Sequence, residues 1–255
     1  MTENTQSPVK PDRDPAGSLL VHSIFPTIQG EGPFAGTPAV FVRLAGCNLQ
    51  CRLCDTEYTA GAKRMSPDTI LTNIIMAAKA GGFDFRRGRF LIGCDAPLKQ
   101  GVEAGTLVVI TGGEPFRQNL VPFTKRLLAE RLRVQVETNG TLWSEEPLPG
   151  AVTLVCSPKT GRIHQAMMLH AHAFKFVVQD GKVGPDGFPL SVLGMANPAA
   201  APDFALCRRD VEVYIQPLDE QDAVKNEANT KLAVNICLAK GYRLCLQTHK
   251  LVNLP

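Results

Sequence analysis

Val40-Phe41-Val42-Arg43-Leu44-Ala45-Gly46-Cys47-Asn48-Leu49-Gln50-Cys51-Arg52-Leu53-Cys54 is the stretch on which the reading of the fold turns. Its first five residues form an apolar run with the length of a buried strand, interrupted only by Arg43. A guanidinium there either snorkels out of the core or meets an acidic group at the strand end. After the small pair Ala45-Gly46 come three cysteines spaced C-x3-C-x2-C. Three thiolates leave a structural zinc ion one protein ligand short, whereas they match three corners of a [4Fe-4S] cubane whose fourth iron stays open to a small molecule. A zinc site completed by His22, His164 or His249, and cysteines that merely pack, are the alternatives.

Working outward, the same grammar repeats. Leu107-Val108-Val109-Ile110 leads into Thr111-Gly112-Gly113-Glu114-Pro115, and Val134-Gln135-Val136 into Glu137-Thr138-Asn139-Gly140. Val152 to Cys156 leads into Ser157-Pro158-Lys159, Phe174 to Val178 into Gln179-Asp180, Val211 to Ile215 into Gln216-Pro217-Leu218-Asp219, and Leu244 to Leu246 into Gln247-Thr248-His249-Lys250. Strands that each end in polar side chains describe a parallel α/β arrangement with its site on the C-terminal face. Helices are expected from Ser66-Pro67-Asp68 onward, with Ile70, Leu71, Ile74, Ile75 and Ala78 at helical spacing. Others are expected around Leu120, Phe123, Leu127 and Leu128, and from Val224 to Ala239 with Gly241 as the stop. Helix signal is thin between Asp180 and Asp210, and no G-x-G-x-x-G follows the first strand. A partial, shortened (β/α)6-like barrel therefore fits better than a doubly wound sheet or a complete eight-fold barrel.

Residues 1–17 are proline-containing and polar, and read as a flexible N-terminal tail before a single domain at 18–255. Ile24 to Pro33 reads as a glycine-rich loop carrying Gln29 and Glu31. The segment 83–105 breaks the alternation and reads as an insertion, either a hairpin or a lid. With 44% apolar and 20% charged residues and a net charge of +3, the 255-residue chain has the composition of a globular protein and gives no argument for nucleic acid or a membrane surface. Its polar start carries no apolar signal core, and no run is long enough to span a bilayer, so a reducing cytoplasmic location is expected. Cys94, Cys156, Cys207, Cys237 and Cys245 read as packing thiols.

The cysteine triplet after one strand and Gly112-Gly113-Glu114-Pro115 after the next resemble the radical S-adenosylmethionine (SAM) superfamily. That resemblance implies a [4Fe-4S] cluster on Cys47, Cys51 and Cys54, with SAM on its open iron along the Gly112-Gly113-Glu114 edge. It further implies Ser157, Pro158, Lys159, Gln216, Pro217, Leu218 and Asp219 around the cofactor, and a flavodoxin- or ferredoxin-type electron donor. One departure is Leu53, where the superfamily commonly has an aromatic residue against the adenine.

Four blocks carry a narrower resemblance, to the 7-carboxy-7-deazaguanine synthase family: Thr27 to Gly32, Arg43, Cys54-Asp55-Thr56, and Gln247 to Lys250 with Leu254-Pro255. It implies that Ile28, Gln29, Gly30, Glu31, Thr111 and Pro255 contact a pterin, that Arg43 pairs with its carboxylate, that Thr56 holds Mg²⁺, and that the protein is a homodimer. The implied reaction converts 6-carboxy-5,6,7,8-tetrahydropterin into 7-carboxy-7-deazaguanine and ammonia. A glycyl-radical-activating enzyme shares the cluster and glycine edge and is the rival within the superfamily; a non-catalytic iron-sulfur or zinc module is the rival outside it.

Overall fold

The computed structural model describes residues 3–83, 85, 105–195 and 198–254. Among the described residues nine strands form one mixed sheet: β1 (Leu19–Ile28), β2 (Pro38–Leu44), β3 (Lys63–Met65), β4 (Leu107–Gly112), β5 (Arg133–Thr138), β6 (Val152–Cys156), β7 (Ala173–Val178), β8 (Glu212–Pro217) and β9 (Arg243–Leu244). Their order across the sheet is β3-β1-β2-β4-β5-β6-β7-β8-β9. From β2 onward every pairing is parallel, while β1 runs antiparallel to both β2 and β3. The helices are α1 (Pro67–Ala80), α2 (Val121–Ala129), α3 (Gln165–His170), α4 (Ala223–Lys240) and α5 (Thr248–Leu251).

Local chemistry accounts for the clear elements. Ser66 Oγ accepts the Thr69 N–H at 3.2 Å and Pro67 opens α1, so the first turn is capped as its sequence foretells. Ile70, Leu71, Ile74 and Ala78 are buried beneath it, but Ile75 falls on the outer flank. Asp222 caps α4, and Gly241 ends it in the left-handed region at φ 72°. Strand β7, AFKFVV, is buried throughout, as a parallel strand covered on both faces must be. Ile110, Phe116, Leu120, Phe123 and Phe174 belong to the main core between sheet and helices.

Two expectations change. Ile24 to Ile28, expected as part of a loop, completes β1, with Pro26 opposite Val40. Strand β3 pairs only with Leu19 to Val21, so at Pro26 the outer side of β1 is an edge, where the missing N–H costs nothing. The polar N-terminus has mostly exposed side chains, as its composition suggests, yet its backbone is not free. Asn4 N–H donates to Arg52 O at 2.9 Å and Val9 N–H to Cys47 O at 2.7 Å, which lays the segment along the cysteine loop. The 83–105 segment lies almost wholly outside the described residues.

The sheet curls. At about 4.8 Å per strand a flat sheet would put β2 and β8 roughly 24 Å apart, yet the end of β1 meets the far side of the molecule: Glu31 pairs with Lys175 on β7, and Gly30 O accepts from Thr248 N at 3.3 Å.

Candidate active site

Curling brings the carboxyl ends of the strands around two adjoining cavities. The smaller, about 150 Å³, is lined by Cys47, Cys51, Cys54, Gly112, Gly113 and Asn139. The larger, about 580 Å³, is lined by Ile28, Gln29, Glu31, Arg43, Asp55, Gln216, Leu218, Asp219 and His249. Asp55 also lines the smaller one, and Thr56, Thr111, Glu137, Ser157, Lys159, Lys175 and Leu193 line both.

The cysteine loop is tied to the sheet through Gly46, whose carbonyl accepts from Glu114 N at 3.0 Å, and Asn48, which donates to Thr141 Oγ1 at 2.8 Å. Asn139 Nδ2 reaches Asn48 Oδ1 at 3.0 Å and Cys47 Sγ at 4.0 Å. All three thiols are free. Burial pushes Cys47 up to about 12 and raises Cys51 and Cys54, with Lys159 opposing the rise at the latter two. Three thiols beside a lysine, giving up their protons to metal, are a donor set that an iron-sulfur cluster would satisfy. Among the described residues no group of three His, Cys, Asp or Glu side chains is gathered tightly enough to hold a single metal ion. A cubane differs from an ion in this respect, because its irons are separate and its ligands need not converge on one point.

The histidines considered for zinc are elsewhere. His22 meets Ser23 Oγ at 3.1 Å, His164 caps α3, and His249 stands beside Gly30 in the larger cavity. No fourth cysteine or histidine appears among the described residues lining the smaller cavity.

Gly112 and Gly113 line the smaller cavity, and the close backbone packing behind them also requires glycine. A Cβ on Gly113 would strike the Gly46 carbonyl and one on Gly112, at φ 122°, the Leu44 backbone, so both are needed for β4 to pass the cysteine loop. Glu114 is wholly buried and is not among the residues lining either cavity; its carboxylate accepts from Phe116 N at 3.0 Å, Thr138 Oγ1 at 2.7 Å and Asn139 N at 2.7 Å, the last two on residues of the smaller cavity's wall. Pro158 and Pro217 also lie outside the two linings. Lys159 Nζ donates to Ser157 O at 2.9 Å.

On the larger side Arg43 stacks over Phe25, 5.2 Å from the ring centroid, and its Nε is buried with no hydrogen-bond partner. Burial lowers its pKa, against the pull of Asp55 and Glu137. Gln29 Nε2 donates to Glu137 Oε1 at 2.9 Å and its Oε1 accepts from Glu31 N at 3.1 Å, which orients the amide in the cavity wall with one N–H and one lone pair to spare. Gly30 is a glycine because a Cβ would collide with the His249 ring. Thr56 Oγ1 lies 3.3 Å from Asp55 Oδ1, whose partner oxygen is 3.7 Å from Lys250 Nζ. Pro255 is outside the described residues; its neighbour Leu254 lines the larger cavity.

Similar proteins match most of this chain's length. A 7-carboxy-7-deazaguanine synthase of Rhodospirillum rubrum is 38% identical over 250 residues, covering 96% of each chain. The protein of the same name from Rickettsia prowazekii is 36% identical over 241 residues, 92% of this chain and 88% of its own. The chain belongs to the 7-carboxy-7-deazaguanine synthase family. No family model matches it. Its mixed α/β fold is that of the crystal structure of QueE from Escherichia coli, at a TM-score of 0.61 and 21% identity over 90% of this chain and 93% of that one.

In this member of the 7-carboxy-7-deazaguanine synthase family, residues not singled out from the sequence complete the wall. Glu137 accepts from Gln29, from Gln135 Nε2 at 2.9 Å and from Thr111 Oγ1 at 3.2 Å. Lys175 donates to Glu31, whose other oxygen accepts from Gln247 Nε2 at 2.8 Å. Burial would raise Glu31 and lower Lys175, but each charge holds the other ionised, so Glu31 sits below and Lys175 above its ordinary value. Lys175 had the same signal as Arg43, a cation inside an otherwise apolar strand.

Proposed function

We propose that this 7-carboxy-7-deazaguanine synthase family member converts 6-carboxy-5,6,7,8-tetrahydropterin into 7-carboxy-7-deazaguanine and ammonia, as a radical SAM lyase of deazapurine (queuosine-type) biosynthesis. The observation that carries the reading is Arg43, a cationic side chain that lines the 580 Å³ cavity and whose buried Nε has no hydrogen-bond partner. Such a cation is costly until an anion reaches it, and a substrate carboxylate is the matching group.

Cys47, Cys51 and Cys54 would hold the [4Fe-4S] cluster, with SAM beside Gly112, Gly113, Ser157, Lys159, Gln216, Leu218 and Asp219. When bound, these groups supply a 5′-deoxyadenosyl radical that takes a hydrogen atom from the substrate. The chain's own part is positioning. Arg43 fixes the carboxylate, while Glu137 and Glu31, both turned toward the cavity, are acceptors for the N–H edge of a pterin. The Glu31–Lys175 pair keeps one of those acceptors ionised. Thr56 and Asp55 offer the hard oxygens that suit Mg²⁺.

We read the curled parallel strands β2 to β8 as a partial (β/α)6-type barrel, a reading supported by the meeting of both sheet ends around one cavity. The homodimer rests on the family likeness. Electrons would come from a flavodoxin- or ferredoxin-type donor. Among the described residues no helix is long and apolar enough to cross a membrane, which is compatible with a cytoplasmic location.

The test is an anaerobic assay of reconstituted protein with carboxytetrahydropterin and SAM, with and without Mg²⁺, following ultraviolet absorption of the product. Product formation stimulated by Mg²⁺ is expected. Reductive cleavage of SAM with the pterin left unchanged would overturn the substrate assignment.

A further inference from the structure

Residues 3–13 form an extended strap across the outside of the cysteine loop, and their bonds fall on one set of atoms. Val9 N–H donates to Cys47 O at 2.7 Å, Asn4 Nδ2 to Cys51 O at 3.0 Å, Asn4 N–H to Arg52 O at 2.9 Å, and Gln6 Nε2 to Thr56 O at 2.9 Å. In return Gln6 Oε1 accepts from Tyr58 N at 2.9 Å, so one side-chain amide grips both ends of the 56–58 turn. Residues 3 to 7 alternate between exposed and half-buried, which is the two-residue period of an extended backbone laying Asn4 and Gln6 on one face.

The strap is anchored beyond the loop. Arg117, itself buried, donates to Lys10 O at 2.8 Å and to Ala45 O at 3.0 Å, bridging strap and loop, and Arg64 pairs with Asp12 at 2.6 Å. Two of the three thiol-bearing residues therefore have their carbonyls held by a segment some forty residues or more upstream, and the Thr56 carbonyl by one 50 residues away. The loop adds one backbone bond of its own to this set, Cys54 N–H to Cys51 O at 3.2 Å, and the strap supplies the other partners named above.

We propose that the N-terminal strap is a clamp that keeps the cysteine loop in its cluster-holding shape, with Asn4 and Gln6 as its positioning residues. The proposal rests on the reading of Cys47, Cys51 and Cys54 as cluster ligands. Neither Asn4 nor Gln6 lines a cavity, so they act on the site only through the loop backbone. Because docking and cluster binding favour the same loop shape, each must strengthen the other by the same factor.

The experiment compares the full chain with its Asn4→Ala/Gln6→Ala variant, and with Glu3→Gln, which breaks only the exposed pair with Arg52. After anaerobic reconstitution, iron release to a chelator should be about tenfold faster in the double variant, as expected for losing one or two net hydrogen bonds, and unchanged in Glu3→Gln. Hydrogen exchange should show residues 45–58 opening faster in the cluster-free double variant while β2 and β4 exchange as before. In the wild type, cluster loading should slow exchange at Asn4 and Val9. Equal release rates in both proteins, or strap amides indifferent to loading, would overturn the proposal. If the wild type takes up no cluster, the reading of the cysteines falls, and equal exchange of residues 45–58 in the two cluster-free proteins would overturn the clamp separately.

Discussion

Arg43 on β2 and Lys175 on β7 are cations that line the larger cavity from within strands, and the protein treats them oppositely. Arg43 is left with an unpartnered Nε, whereas Lys175 is neutralised by Glu31. Replacing Arg43 with alanine should reduce pterin turnover at least about a hundredfold, roughly the worth of a buried charge-assisted pair. SAM cleavage uncoupled from product should persist, because Arg43 does not line the smaller cavity; equal loss of both activities, measured as 5′-deoxyadenosine against product, would make the residue structural. Lys175→Met should destabilise the fold by about 3–5 kcal/mol, since it strands a buried carboxylate. Adding Glu31→Gln should recover much of that loss. A denaturant double-mutant cycle with additive effects would mean the two groups are uncoupled.

Elements depend on their ends more than on their middles. Ser66→Ala removes the cap of α1 and should cost about 1 kcal/mol, seen as a lower urea midpoint at unchanged slope. That cap was readable from Ser66-Pro67-Asp68, because capping is a contact over three residues. Strand β1 was not readable through Pro26: what makes proline acceptable is that β3 stops short of it, a fact about a neighbour rather than about β1. The same holds for Gly112 and Gly113. Their identity drew attention to the site, but what forbids a side chain is the backbone of Leu44 and Gly46 crossing them.

At the scale of the whole molecule, one buried carboxyl sets a pH trend. Burial raises Glu114 from 4.5 to about 7, against hydrogen bonds from Asn139, Thr138 and Phe116 that lower it. Between those two values the folded protein keeps a proton that the unfolded chain releases, so this group makes stability fall as pH rises. Burial lowers His172 and His249, which act in the opposite direction over this range, so the Glu114 contribution is read as a difference: from pH 5 to pH 7 the cluster-free wild type should lose stability relative to Glu114→Gln, measured as denaturation midpoints. Identical slopes in the two proteins would show that Glu114 ionises alike in both states.

The alternation of apolar runs and polar ends, the cysteine spacing and the helix caps were legible because each depends on residues within one element or one loop. On these alone the chain declared its α/β class and the cysteine loop at a strand end, while residues such as Arg43 and Thr56 were drawn to the site by family resemblance. What only tertiary structure decided is which distant groups meet: Glu31 with Lys175 across 144 positions, Gln29 with Glu137 across 108, and the strap with the cysteine loop. Those pairings follow from the curl of the sheet and the path of the N-terminus. Both are set by packing summed over the whole chain, so no short window of sequence contains them.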